Sequence, residues 1–399
     1  MTRPPTPATS PRPVGTVAFR LLYLLIFFVI GGFANFVPLW LRDAGWDEPS
    51  IGWLTAVRAC CILAFPLAWG RLSDRIGDSV VTVRIIAVGS FLAFSALIFT
   101  TAHLPVTLAV GAFALFWVGL IPNVDATVLA QVHRTGEAYS AYRVWGSVGF
   151  IAGGFALGAL IEGWGTRVTP AALTGALAAL ALLALRLRPQ PRSRTTHGRG
   201  LAAVRSLLAN PYARGICLVA FASRVSAQGL YIFLPHHLRD LGVRDGLIPT
   251  FWAVGVLSEI VLMRAAPLML ERLGVRALTA ICCAAGALQF GLIAVLDDPW
   301  WVLPVMALHG MSFGVWYVVS ILSLGRHVPE SERATAQGLF QMIGYGLGGL
   351  ISAIGAGYLY GAGRGPLMFG VAAILGLVTA AMAFLVMPRD PVSPATPTH

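Results

Sequence analysis

Two stretches of the sequence repeat one motif: FVPLWLRDAG at residues 36–45 and FLPHHLRDLG at residues 233–242. They are identical at six of ten positions, with an offset of 197 residues. The offset persists without a gap through the next apolar segment, where DRIG at 74–77 corresponds to ERLG at 271–274. A register this long indicates a duplicated unit in parallel orientation, which is typical of transporters whose two halves move about a central site.

The composition around the repeat is that of a membrane protein. Of the 399 residues, 57% are hydrophobic and 11% are charged, whereas soluble domains have about 25% charged residues. A soluble chain of this length could not bury so much apolar surface, so we expect a polytopic membrane protein. The net charge of +11 comes from Arg alone, because the chain has no Lys.

Twelve apolar segments are long enough to cross a bilayer, which takes about 20 residues each. Together with the repeat they predict an all-α integral membrane fold of two pseudo-symmetric six-helix bundles. The predicted segments cover residues 17–41, 50–72, 80–101, 106–131, 139–162, 169–187, 212–238, 247–270, 276–296, 300–324, 334–360 and 366–387.

The distribution of Arg predicts the orientation of the chain. With the N-terminus inside, 19 of the 28 Arg fall in cytoplasmic tails, connectors and helix ends, 5 fall outside and 4 lie within segments. Both termini are therefore expected to be cytoplasmic, and the excess of Arg does not indicate nucleic-acid binding. The predicted parts are a disordered tail (1–15), an N-terminal bundle (16–187), a basic linker (188–211), a C-terminal bundle (212–387) and a second tail (388–399).

The stretch GRLSDRIG at residues 70–77 ends the second segment. It resembles the Gly-x-Leu-Ala/Ser-Asp-Arg-x-Gly signature of the major facilitator superfamily, whose fold is two six-helix bundles. The sequence departs from the signature at Asp78 and Ser79, where basic residues are usual. The resemblance implies a gating role for Gly70, Asp74, Arg75 and Gly77, and a bacterial cytoplasmic (inner) membrane location.

Two opposite charges lie in neighbouring segments. Asp125 is near the end of the fourth segment and Arg143 is near the start of the fifth, with a short polar turn between them. At 1.5 Å per residue, both would lie about 10 Å from the bilayer centre, on the same side. Ionisable groups inside a membrane are candidates for function, so we expect this pair to form half of a substrate site.

The residues around this pair resemble the lactose-permease-like and phenylpropionate-permease-like branch of the superfamily. The similar stretches are PNVD at 122–125, RVWGS at 143–147, WAVGVLSE at 252–259 and LH at 308–309. The resemblance implies that Asp125 and Arg143 bind substrate and that Phe150 replaces an aromatic residue that stacks on it. Trp145 and Trp252 could stack on a substrate ring, although helix packing explains such residues as well.

Four further ionisable residues fall near segment centres: Arg58, Arg224, Glu259 and His309. A charge at mid-helix costs about 2.5–3.5 kcal/mol on insertion scales, so these groups must face a water-filled cavity or one another. Arg224 and Glu259 could form a structural ion pair. The functional interpretation is that Glu259 carries a transported proton, with Arg224 and His309 taking part in proton coupling.

The lactose-permease resemblance implies a coupling role for His309. That permease has a Glu one turn further on, where this sequence has Ser312. The role of the coupling acid therefore cannot be assigned to position 312, and we predict that Glu259 takes this role instead.

The buried charges favour an anionic substrate. Three Arg outnumber two acids among them, and a guanidinium matches a carboxylate with two parallel hydrogen bonds. Asn35 and Gln228, in the first and seventh segments, are predicted to hydrogen-bond the substrate, with interhelical contacts as the alternative.

The predicted function is proton-coupled secondary transport, by alternating access, of a small organic anion such as an aromatic carboxylate. Sugar or nucleoside symport and multidrug efflux by proton antiport are alternatives, as is a non-transporting sensor. An enzyme is not expected, because no catalytic triad, metal cluster or phosphate-binding loop occurs. The expected partners are a small solute, protons and the bilayer, with a monomeric chain, no nucleic acid, no cofactor and no metal.

Overall fold

The computed structural model describes residues 15–188 and 200–389. The predicted tails, apart from their innermost positions, and residues 189–199 of the predicted linker lie outside these ranges. Within them the chain is helical and contains no strand. The α-helices are α1 (Gly15–Asp43), α2 (Glu48–Ala64), α3 (Pro66–Ile76), α4 (Ser79–Ser95), α5 (His103–Trp117), α6 (Leu120–Thr135), α7 (Ser140–Trp164), α8 (Thr169–Arg186), α9 (Gly200–Ala209), α10 (Pro211–Asp240), α11 (Ile248–Val295), α12 (Pro299–Val305), α13 (Trp316–His327), α14 (Arg333–Gln341) and α15 (Gly349–Val386).

In the described ranges, nine helices are long and apolar enough to cross a membrane, or ten if one bent pair counts as a single span. Two of these, Asp245–Val295 and Thr335–Val386, have 51 and 52 residues. Each contains a break in helical geometry, at Gly274 in the first and at Gly363 and Arg364 in the second. These breaks fall in predicted connectors. The all-α membrane fold is confirmed, and the twelve predicted segments all lie in helical parts of the chain.

The helices pack as two groups. The N-terminal bundle is α1 to α8, in which α1 lies along α7 and α8; the C-terminal bundle is α10 to α15, in which α10 lies along α15. Helices α1 and α10 end on the same face of the molecule, which we call the distal face. It lies opposite the face where α1 begins and α15 ends.

The repeat is visible in the backbone. Gly45 and Gly242, one at the end of each motif copy, have φ of +89° and +85°. Gly77 and Gly274, also 197 residues apart, have φ of +70° and +74°. Residues with a Cβ rarely adopt this conformation, so the two halves make the same turns with glycine at the same places.

The second predicted segment is bent. It consists of α2 and α3, whose axes differ by 50°, and α3 begins at Pro66. Proline lacks an N–H group and disfavours helical geometry in the residue before it, which explains the break. The predicted gating residues Gly70, Asp74 and Arg75 lie on α3, and Gly77 caps its C-terminus.

The described part of the predicted linker contains helix α9. Ser206 on this helix donates a hydrogen bond to Glu332, with an O–O distance of 3.2 Å. Asn210 caps α10 through its side-chain oxygen and donates from its side-chain nitrogen to the carbonyl of His327 at 2.8 Å. The end of the linker is therefore attached to the C-terminal bundle.

Helices α1 and α7 approach closely through glycines. A Cβ added at Gly149 would lie 2.1 Å from the carbonyl oxygen of Leu24, and one at Gly153 would lie 2.1 Å from that of Phe28. These neighbours are backbone atoms, which cannot rotate away. The contact explains why glycine stands at both positions of the fifth predicted segment.

We expect Gly149→Ala to lower the free energy of unfolding by about 1–3 kcal/mol, as overpacking does. Gly163→Ala on the same helix is the matched control, because a Cβ there meets nothing within 4 Å. Thermal unfolding of the purified variants measures the difference. Equal melting temperatures would show that α1 and α7 are not in this contact.

Candidate functional site

A cavity of about 280 Å³ lies between the two bundles. Its wall comes from α1, α2 and α5 on one side and from α10, the turn before α13 and the turn before α15 on the other. Most lining residues are apolar or aromatic. The polar and charged ones are Thr55, Arg58, Arg224, Gln228, Tyr231 and Tyr345.

Arg58 enters this cavity from α2. Its guanidinium lies over the ring of Phe33, with the central carbon 4.4 Å from the ring centroid. Among the described residues, no carboxylate lies within 4.0 Å of it. The charge is therefore stabilised by an aromatic face and remains available to an anion.

Arg224 enters from the opposite side, on α10, and its residue is 8% exposed. Its guanidinium carbon is 3.9 Å from the ring centroid of Tyr345 and 5.2 Å from that of Tyr231. In the described part of the chain it has no carboxylate within 4.0 Å. Arg224 therefore does not form the ion pair with Glu259 that the sequence left as an alternative.

Glu259 instead contacts His309. Its Oε1 atom is 3.4 Å from Nε2 of the imidazole, and the hydroxyl of Tyr231 is 3.1 Å from the same nitrogen. Tyr231 also lines the cavity. A continuous polar path thus leads from the cavity through Tyr231 and His309 to Glu259.

Local helix geometry places these groups. A π-helical turn, Gly310–Val315, follows His309, and a second one, Met342–Gly348, carries Tyr345. Such turns break the regular spacing of side chains and are frequent at functional sites. Each turn contributes one aromatic residue to the cavity wall: Phe313 lies on the first turn and Tyr345 on the second.

Trp252 belongs to an aromatic cluster beside the cavity. It is 2% exposed and stacks on Tyr231 with a centroid distance of 5.3 Å. Phe150 meets its edge at 6.4 Å, and His309 does so at 5.6 Å. The described cavity lining contains neither Trp252 nor Phe150, so the structure places both behind Tyr231.

Asp125 and Arg143 lie near each other but make separate contacts. Tyr139 donates a hydrogen bond to Asp125 at 2.9 Å, and Tyr23 donates to the same oxygen. Arg143 lies over Phe27, with a carbon-to-centroid distance of 4.2 Å. The two predicted residues therefore do not form an ion pair of 4.0 Å or less.

Two further predicted residues lie away from the cavity lining, as Asp125, Arg143, Phe150 and Trp252 do. Asn35 is 1% exposed and donates to the carbonyl of Gly31 on its own helix at 2.7 Å. This hydrogen bond stays within α1, and the amide also lies near Gly154 of α7. Trp145 is 37% exposed. Of the predicted substrate residues, the structure brings Arg58 and Gln228 into one cavity.

The sequence interpretation did not include four tyrosines that the structure places at functional groups. Tyr231 contacts His309, Tyr345 lies against Arg224, and Tyr23 and Tyr139 contact Asp125. Tyr231 could have been found, because it follows Arg224 by seven residues and so lies on the same helix face. Tyr23 could not, because its partner is 102 residues away.

Comparisons with known proteins agree with this architecture. The chain matches the model of the MFS_1 like family over residues 17–371. It is 28% identical over 379 residues to the maltose permease of Geobacillus stearothermophilus, covering 90% of this chain and 92% of that protein. It is 25% identical over 345 residues to the "Probable 3-phenylpropionic acid transporter" of Escherichia coli (strain K12), covering 85% and 89%.

The crystal structure of the nucleoside transporter NupG has the same fold, with a TM-score of 0.82 and 18% identity over 93% of this chain and 98% of that one. The family resemblance inferred from the gating motif is thereby confirmed. The family match extends over both bundles and includes the cavity between them. The chain belongs to the MFS_1 like family and is a multi-pass membrane transporter of small solutes.

Proposed function

We propose that the protein imports a small organic anion, such as an aromatic carboxylate, together with protons. One observation carries the proposal. A single cavity between the bundles is lined by two guanidinium groups, Arg58 and Arg224, that have no carboxylate partner among the described residues. Beside it lies the path through Tyr231 to His309 and Glu259.

The cavity suits an anion with an apolar body. A buried cation without a partner is costly, and a substrate carboxylate would offset that cost through charge-assisted hydrogen bonds. Arg58 and Arg224 belong to different bundles, so an anion held by both would contact each moving half. The rings around them offer stacking faces for an aromatic substrate: Phe33, Phe113, Trp117, Tyr231, Phe313 and Tyr345.

Glu259 and His309 are the proposed proton carriers. When Glu259 is protonated, its O–H can donate to Nε2 of a neutral His309. When Glu259 is ionised, an Nε2–H can donate to the carboxylate. In both states Glu259 can hydrogen-bond Nε2 of His309, so a proton can be taken up and released without leaving the carboxyl group unpaired. Tyr231 connects this exchange to the cavity.

Asp125 and Arg143 contribute in a different way from Arg58. The Asp125 carboxylate accepts the hydrogen bonds of Tyr23 and Tyr139 at Oδ1, so a direct substrate contact would fall on Oδ2. We propose that Arg143, whose guanidinium lies over Phe27 of α1, adds positive potential on the N-terminal side of the site.

Proteoliposomes test the proposal. Aromatic carboxylates, sugars and nucleosides are added in turn, and the external pH is recorded. A carboxylate that is imported with protons will make the external medium alkaline. If proteoliposomes rich in the protein caused no alkalinisation of the external medium with any of these compounds, proton symport would be contradicted. Efflux would then remain as the alternative.

Symport of a sugar or nucleoside is the second candidate. It is favoured by the similarity to a maltose permease over 90% of this chain. The cavity offers neutral hydrogen-bonding groups in Thr55, Gln228 and Tyr345. Alkalinisation by a sugar or nucleoside, and not by a carboxylate, would select this candidate.

A further inference from the structure

The two copies of the repeated motif meet each other at the distal face. Nη1 of Arg42, in the first copy, lies 2.7 Å from Oδ1 of Asp240, in the second. Nη1 of Arg239, the equivalent of Arg42, lies 2.7 Å from Oδ1 of Asp43. The Arg-Asp dipeptide of each copy thus pairs with that of the other, in a reciprocal arrangement across the bundle interface.

Each of these arginines has a second acid in its own bundle. Nη2 of Arg239 is 2.6 Å from Asp245, and its Nε donates to the same carboxylate at 2.9 Å. Nε of Arg42 is 4.0 Å from Glu48. Glu48 and Asp245 are 197 residues apart, so the second partner also belongs to the repeat.

Asp43 and Asp240 each accept a hydrogen bond from a residue of their own bundle. Thr166 donates to Asp43, with an O–O distance of 2.5 Å, and Tyr360 donates to Asp240 at 2.8 Å. Glu48 also pairs with Arg364 of the other bundle at 2.9 Å. Among ion pairs between described residues, all those that join the two bundles lie at this face.

We propose that Arg42, Asp43, Arg239 and Asp240 form a clasp that closes the distal face, and that its arginines keep their same-bundle acids when the bundles separate. The proposal requires that the bundles move relative to one another. It requires neither the identity of the substrate nor proton coupling.

The second acids make the clasp reversible. If Arg239 had only Asp43, separation of the bundles would leave an unpaired guanidinium at the rim of the membrane. Because Asp245 stays with Arg239, that charge remains paired in the open state. Asp43 therefore stabilises only the closed state, whereas Asp245 matters most in the open one.

The clasp is expected to be weak enough to open. The side chains of Arg239 and Asp43 are 23% and 44% exposed, and those of Arg42 and Asp240 are 23% and 28% exposed. An ion pair exposed to this extent changes an equilibrium constant by up to about fivefold. Two such pairs bias the distal face towards closure without locking it.

The test measures the distance between the bundles at the distal face. Spin labels are attached to Gly163→Cys on α7 and Asp297→Cys in the loop after α11, both of which are exposed. The purified protein is examined in lipid nanodiscs without substrate, and the ratio of long-distance to short-distance populations is recorded. The native cysteines are first replaced by Ser: Cys60, Cys61, Cys217, Cys282 and Cys283.

Two substitutions around Arg239 should act in opposite directions. Asp43→Asn should raise the long-distance population ratio by up to about fivefold, whereas Asp245→Asn should lower it. Arg244→Gln is the matched control, because this exposed residue on the same face has no ion pair with a described carboxylate, and it should leave the ratio unchanged. If Asp43→Asn and Asp245→Asn changed the population ratio in the same direction, the proposed exchange of partners by Arg239 would be wrong.

A double-mutant cycle tests the pairing itself. Arg42→Gln and Asp240→Asn should each raise the ratio, and the combination of both should raise it by less than the product of the single effects, because the two substitutions remove the same ion pair across the bundle interface. Arg42→Gln combined with Asp43→Asn should instead give the product of the single effects, because two pairs are lost. Unchanged ratios in the single variants, or a full product for Arg42→Gln with Asp240→Asn, would overturn the clasp.

Discussion

Replacing Glu259 with Gln is expected to abolish substrate accumulation driven by a pH gradient while leaving substrate counterflow intact. Gln has nearly the same shape and can still hydrogen-bond Nε2 of His309, which lies 3.4 Å from the native carboxylate. It cannot take up or release a proton, so the solute could still cross but its movement would no longer depend on the pH difference. Uptake and counterflow of a radiolabelled substrate in proteoliposomes measure both activities.

Ser312→Ala is the matched control. Ser312 is on the same turn as His309 and donates to Gln289 at 3.1 Å, outside the path from the cavity to Glu259. It should leave both activities unchanged. If Glu259→Gln abolished counterflow as well, the residue would have a structural role and the proposed proton path would be wrong.

Replacing Arg224 with Gln is expected to weaken binding of an anionic substrate by roughly 10- to 150-fold. A hydrogen bond to a charged group is worth about 1.5–3 kcal/mol, and each 1.4 kcal/mol is tenfold in affinity. Arg224 is buried, lines the cavity and has no carboxylate of its own among the described residues. Isothermal titration of the purified protein at constant pH measures the dissociation constant.

The same titration with the neutral amide of the substrate separates charge from shape. Its affinity should change little in Arg224→Gln, since no anion is lost. Arg264→Gln is the control for the loss of an Arg from a membrane helix, because Arg264 is exposed on α11 and does not line the described cavity. Equal losses for the acid and the amide would contradict anion recognition by Arg224.

The position of each buried charge along the chain was predictable from the sequence. Arg58, Arg224, Glu259 and His309 all stand in apolar segments, and the cost of an unpaired charge there requires a cavity or a partner. The partner was not predictable in the same way. The sequence permitted Glu259 to pair with Arg224, whereas the structure places Glu259 against His309 and Arg224 against Tyr345.

The predicted substrate residues show the same difference between positions that the sequence predicts and partners that it does not. Arg58 and Gln228 line the cavity, as expected. Asp125 was expected to share a site with Arg143, but its carboxylate accepts hydrogen bonds from Tyr23 and Tyr139. Tyr23 comes from a helix whose orientation relative to α6 no local pattern could define.

The sequence by itself determined the membrane class, the duplicated unit and the position of each charge within its apolar segment, because these follow from composition and from positions along the chain. Only the tertiary structure decided which side chains meet. At 3.6 residues per turn, one residue changes the direction of a side chain by about 100°, so partners depend on how each helix is rotated against its neighbours. The repeated motif shows this clearly: its two copies are readable in the sequence, but only packing places Arg42 against Asp240 and Arg239 against Asp43.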